Sequence, residues 1–215
     1  MARLSKIEQP RIPMELEPID IEGMYHEEDP YLSNGMITNT KLDYEEVEKV
    51  VLSKLVFKNV SFTNATFKRI DATDIIFVNC DLSNANFSEG IIHKVQFKEC
   101  KLTGIDFSET SFGNVTFEHC LANMSDFREA RLKQVKFSNT TLHSANFADC
   151  LLTKIQLDQC DINDIDFTLT KLKGLDISTC TFDKINVALE NLEGLQISPE
   201  QAIGFATMLG LEIKE

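Results

Sequence analysis

The sequence predicts an all-β fold: a four-sided coil of stacked parallel strands, finished by a short C-terminal α-helix. Three observations predict it. Every fifth residue from Leu32 to Ile197 is apolar, a row of 34 positions with no polar or charged member. Fourteen of the fifteen Phe residues lie in that row. Within it Phe recurs every 20 residues: Phe67, Phe87, Phe107, Phe127, Phe147 and Phe167 form one column, and Phe57, Phe77, Phe97, Phe117 and Phe137 form another, offset by ten. A period of five fits neither the helix nor the strand, so it belongs to a repeating backbone unit, and a short fixed repeat builds a solenoid.

Residues 1–30 lie outside the row and hold four of the five prolines (Pro10, Pro13, Pro18 and Pro30), which predicts an irregular N-terminal arm. The coil is expected over 31–198. Its first 20 residues are the least regular, because the Glu-rich stretch 43–51 keeps the register only through Val47 and also suits a short helix. A 20-residue period divides the coil into four walls, with the two Phe columns facing each other and Leu-rich walls between them. The row amounts to about 8.5 turns, or a rod roughly 40 Å long at about 4.8 Å per stacked strand. Each turn buries its core against its neighbours, so stability approaches a nearest-neighbour sum.

The six cysteines (Cys80, Cys100, Cys120, Cys150, Cys160 and Cys180) all stand two places before a member of the row. Ala65, Val95, Ile105 and Val135 occupy the same slot, so these cysteines read as reduced core filler, not as a disulfide frame or a metal set. Asp81, Asn86, Asp106, Asp126, Asn146, Asp161 and Asp166 precede row members, where their side chains suit tight corners by bonding nearby backbone.

At the C-terminal end, Ser198, Pro199 and Gln201 spell a helix start with a capping box, and Gly210 supplies a stop. A helix over Pro199–Leu209 sets Ala202, Phe205, Ala206 and Leu209 on one face. With Met208, Leu211 and Ile213 this is more apolar surface than one cap requires. The segment 199–215 is therefore expected to form a helix and short strand that cap the rod and pair it with a second copy.

The unit itself is visible in CDLSN (80–84), ANFSE (85–89), IDFSE (105–109), ANFAD (145–149) and CDIND (160–164). These segments resemble the pentapeptide-repeat family over roughly residues 50–198. The resemblance implies a right-handed quadrilateral parallel β-helix. Members of similar length, the Qnr type and the mycobacterial fluoroquinolone-resistance type, are dimeric rods that bind DNA gyrase or topoisomerase IV and protect it from quinolones. The unbroken row here is like the mycobacterial type, since the Qnr type carries loops that interrupt the repeat.

Net charge is −13, from 34 acidic and 21 basic residues, which disfavours direct nucleic-acid binding. No apolar run is long enough to span a membrane, and the N-terminus lacks the apolar core of a secretory signal, so a cytoplasmic location is expected. The four His are scattered, and no phosphate loop, nucleophile motif or CxxC occurs, so neither an enzyme nor a metal or cofactor is expected. The charges are segregated. On the wall of the longer Phe column, Glu89, Asp106, Glu109, Asp126, Glu129, Asp149 and Asp166 face outward with Arg128 the one base among them. A neighbouring Leu wall carries Lys94, Arg131, Lys133, Lys154, Lys171 and Lys173. A rod with a carboxylate stripe presents a potential like that of a phosphate backbone. Together with the resemblance, this points to a DNA mimic that binds a type II topoisomerase as a homodimer. The alternative is a scaffold or regulatory module for another bacterial protein, read through the basic wall or the arm.

Overall fold

The computed structural model describes residues 6–21, 30–208 and 210–213. The coil forms as the period requires. β2 (Tyr31–Thr38), β3 (Val51–Lys58), β4 (Asp71–Val78), β5 (Ile91–Lys98), β6 (Ser111–Glu118) and β7 (Arg131–Ser138) pair in parallel, each offset from the next by 20 residues. One coil later the strand splits into β8 (Leu151–Thr153) and β9 (Gln156–Asp158), both paired to β7. Two short parallel pieces follow, β10 (Ile165–Asp166) and β11 (Ile185–Asn186). Ahead of the coil, β1 (Glu17–Pro18) pairs with Gly35 and Met36 of β2.

Each long strand covers two walls, named here after the first Phe-flanked coil: the Leu52 wall and the Phe57 wall. The Phe62 and Phe67 walls are turns joined by single bridges, such as Ser61 to Asp81 and Asn86 to Asp106. Stretch 43–51 makes the same turns and not the short helix its composition also allowed. Burying Leu42 and Val47 in the stack outweighs the weak helix preference of one Glu-rich turn.

The two Phe columns meet inside. Phe57, Phe77, Phe97, Phe117 and Phe137 stack with centroids 4.5–4.9 Å apart and planes within 8°. Phe107, Phe127 and Phe147 meet them edge-on across the interior at 5.9–6.3 Å. Parallel and T-shaped pairs both suit the ring quadrupole and add to the burial of the rings.

The corners have one common device. The last residue of nearly every pentapeptide adopts positive φ, from Asn34 (55°) through Glu109 (58°) to Leu169 (61°), with Gly104, Gly174 and Gly194 in the same register. The residue before the row closes the turn on two walls. Asp81, Asn86, Asp106, Asp126, Asn146, Asp161 and Asp166 each accept the amide two residues on, at 2.8–3.1 Å.

The C-terminal helix α1 (Pro199–Met208) starts on the expected capping box. Ser198 donates its amide to Gln201 Oε1 (2.9 Å), and the Gln201 amide donates to Ser198 Oγ (3.3 Å). Gln201 Nε2 also donates to the Ile177 and Cys180 carbonyls, tying the helix start to the last coils. At the far end the Gly210 amide bonds Thr207 O and the Leu211 amide bonds Ala206 O, with Gly210 at φ +76°. Residues 211–213 form no strand.

Candidate protein-binding surfaces

The acidic column sits where the turn chemistry puts it. Asp106, Asp126 and Asp166 are half-buried and committed to corner amides. Asp126 also holds Arg128 at 2.6 Å, which keeps that guanidinium protonated even more firmly than usual. Glu89 meets Lys68 Nζ at 2.7 Å, and that contact lowers its carboxyl below the ordinary range. Glu109, Glu129 and Asp149 remain: all are exposed and take part in no ion pair among the described residues. With Glu89 they occupy the positive-φ position of successive coils. They therefore line one corner of the rod at about 4.8 Å per step.

The Leu52 wall differs from its sequence reading, because the N-terminal arm lies along it. The Arg11 amide donates to Asp74 Oδ1 (2.9 Å) and the Glu8 amide to Asn114 Oδ1 (3.0 Å). Gln134 Nε2 reaches the Lys6 carbonyl at 3.5 Å, and Gln9 bonds Gln96. Lys94, counted from sequence as part of an open basic stripe, is paired instead to the Glu8 carboxylate at 2.8 Å with its side chain only 15 % exposed. That ion pair holds the Glu8 carboxyl below the usual glutamate range, with Arg11 and His93 adding to the effect. Asp74, Gln96 and Asn114 are outward-facing yet buried, since the arm residues they bond cover them. The arm leaves the wall at Gly35, where an added Cβ would strike the side chain of Ile19. Lys154, Lys171 and Lys173 lie beyond the arm's described part, and Arg131 and Lys133 share the coil of its last contact, Gln134; all five are exposed.

At the C-terminal end the proposed pairing residues divide. Phe205 is 9 % exposed and packs against Phe182 at 5.9 Å, so it caps its own coil and presents nothing to a second copy. Ala206 is half-buried; Ala202 is exposed. Leu211 and Ile213 are exposed, as is Ile203. The Met208 side chain and Leu209 lie outside the described residues. Among the described residues no cluster of three or more His, Cys, Asp or Glu could hold a metal ion, and no helix is long and apolar enough to cross a membrane. The six cysteines are buried and free, and burial pushes the Cys150 thiol up to about 12.

A family model described as a pentapeptide repeat region matches residues 90–167, and one described as pentapeptide repeats (8 copies) matches 67–104. No curated protein matches the chain. Among solved structures it is similar to full-length QnrB1, a plasmid-mediated fluoroquinolone resistance protein (18 % identity, 82 % of this chain and 100 % of that one, TM-score 0.47). Another is HetL, a pentapeptide repeat protein involved in heterocyst differentiation regulation from the cyanobacterium Nostoc (16 %, 78 % and 83 %, 0.30). The matched residues, 67–167, are similar to the pentapeptide-repeat family, and the four-walled coil continues in the same register on both sides of them.

Proposed function

We propose that the chain is a non-enzymatic binding rod whose acidic corner occupies the basic DNA groove of a type II topoisomerase, DNA gyrase or topoisomerase IV, in place of duplex DNA. The observation that carries this reading is the exposed column of Glu109, Glu129 and Asp149, continued by Glu89. Glu109, Glu129 and Asp149, in no ion pair among the described residues, keep a directional negative field along this edge, which steers association with a basic groove. The test is DNA supercoiling by purified gyrase with added protein, with and without a quinolone. Inhibition or quinolone rescue is expected, and Glu109→Lys, Glu129→Lys and Asp149→Lys together should abolish it, whereas Asp126→Asn should not. No effect of the wild-type protein, or full effect of the triple variant, refutes the reading.

The rod is proposed to work as a homodimer joined through the exposed tail residues Ile203, Leu211 and Ile213. Sedimentation should give a dimer, and Leu211→Glu with Ile213→Glu should give a monomer. A monomer for the unmodified chain rejects the pairing. A second reading, a scaffold or regulatory module for another bacterial protein, is favoured by the arm on the Leu52 wall, whose Asp74 and Asn114 side chains accept amides of the chain's own Arg11 and Glu8.

A further inference from the structure

We infer that the Leu52 wall beyond Gln134 is a docking groove for an extended acidic segment of a partner protein, continuing the path that the chain's own arm takes. It is independent of the topoisomerase reading, which uses a different edge of the rod.

The wall offers one positive-φ side chain per coil: Asp74, Lys94, Asn114, Gln134 and then Lys154. The arm shows how this column holds a peptide. Asp74 and Asn114 accept backbone amides of Arg11 and Glu8, three residues apart in the arm and two coils apart on the rod. Three extended residues span about 10 Å, and two coils rise about 9.6 Å, so an extended strand keeps register with the stack. Recognition through backbone amides does not depend on the bound sequence; the arm's side chains supply the rest. Glu8 reaches Lys94, and its neighbour Ile7 is half-buried.

Past Gln134 the same column continues into a site of opposite charge to the arm's Glu8. Lys154, Lys171 and Lys173 are exposed there, next to Arg131 and Lys133 of the Gln134 coil, which are exposed too. Their acidic neighbours are few. Glu193 contacts Lys173 at 2.9 Å with both side chains at least 75 % exposed, Asp158 is held by Lys136 at 3.1 Å, Asp176 is exposed, and Asp149 stands on the far corner. The floor also changes. Leu132 and Val135 are fully buried in β7, but one coil later the strand breaks between β8 and β9, and Leu152 and Ile155 are only partly covered. A shallow recess opens there beside the partly covered Leu152 and Ile155, above the buried Leu172 and Leu175, and it is rimmed by Lys154, Lys171 and Lys173.

The lysine rim selects an acidic segment, and the partly covered Leu152 and Ile155 favour apolar residues between its acids, the chemistry of Ile7 and Glu8. The chain's own residues 1–5, Met-Ala-Arg-Leu-Ser, carry no acid, so charge assigns the groove to a partner.

The test is fluorescence anisotropy of a short fluorescein-labelled peptide, with Glu at alternate positions and Ile or Leu between, titrated with the full chain at low salt. Saturable binding is expected. Lys154→Glu, Lys171→Glu and Lys173→Glu together should weaken it about tenfold or more, with the circular dichroism of the coil unchanged because all three are on the surface. Glu109→Lys with Glu129→Lys should leave it intact, which separates this groove from the acidic corner. Deleting residues 1–5 should also leave it intact. Equal binding by the triple lysine variant, equal binding of a peptide with Lys in place of Glu, binding that appears only after residues 1–5 are removed, or displacement of the peptide by duplex DNA would each overturn the assignment.

Discussion

At the residue scale, each position of the pentapeptide answers one physical demand. The row residue fills the core. The slot two places earlier sits under the carbonyl of the preceding coil, which explains why it takes Cys, Thr and Ser beside Ala and Val. Thr110, Thr140 and Thr170 donate to Phe87, Phe117 and Phe147 carbonyls at 2.6–3.3 Å, and Cys150 Sγ lies 2.9 Å from Phe127 O. A purely apolar reading of that slot missed the hydroxyls, because periodicity reports burial and not hydrogen bonds. It also left the last position free, whereas the structure demands positive φ there. The signal was present: Asn fills it at 34, 39, 59, 64, 79, 84, 114 and 139, and Asn tolerates this conformation better than most residues. Two predictions belong here. Met124, at φ 56° and 61 % exposed, gains nothing from its side chain. Met124→Gly should therefore stabilise by up to about 1 kcal/mol in urea unfolding, and Met124→Val should destabilise by about as much. The buried thiols should resist an aromatic disulfide reagent in the native state and react only on unfolding, because the closed core keeps the reagent from all six.

At the element scale, the walls divide into strand and turn, and the sequence distinguishes them in the residue before the row. On the turn walls Asp and Asn recur there, as in Asp81, Asn86 and Asp106, though Lys101 and Leu121 also occur; the Phe57 wall uses Val56, Ile76, Gln96 and Thr116. β-Branched and long side chains suit extended backbone, while Asp and Asn bind the amide two residues on. The Phe ladder is the element on which stability rests. Phe117 is stacked between Phe97 and Phe137, so Phe117→Ala should cost about 3–5 kcal/mol by denaturant titration, with the coils above and below it most affected. The capping box and its glycine stop were readable from local residue order. The inward turn of Phe205 was not, since it depends on where Phe182 ends up in the last coils.

At the scale of the whole molecule, the coil, its four walls and the two facing Phe columns were legible from one periodicity. The path of the arm was not. Residues 6–13 have no repeat of their own, and what fixes them is a set of side chains 60 to 130 residues away, among them Asp74, Lys94, Asn114 and Gln134. The arm also gives the molecule an acid response. The Glu8 carboxyl is lowered by Lys94, so its contribution is present above the ordinary glutamate value of 4.5 and is lost as pH falls through the lowered one. Amide exchange at Glu8 and Arg11, corrected for intrinsic rates, should therefore accelerate in strong acid before the coil itself opens.

A stack held only by neighbouring layers frays from its ends, one layer at a time. The arm crosses that logic like a lath nailed over several boards. Opening any one coil between Asp74 and Gln134 strains contacts to a single peptide shared by four of them. Those coils should exchange hydrogen as one cooperative block. The coils past Gln134, among which the Lys154 recess opens, should yield separately and sooner, so the end proposed as a docking groove is also the end free to adapt.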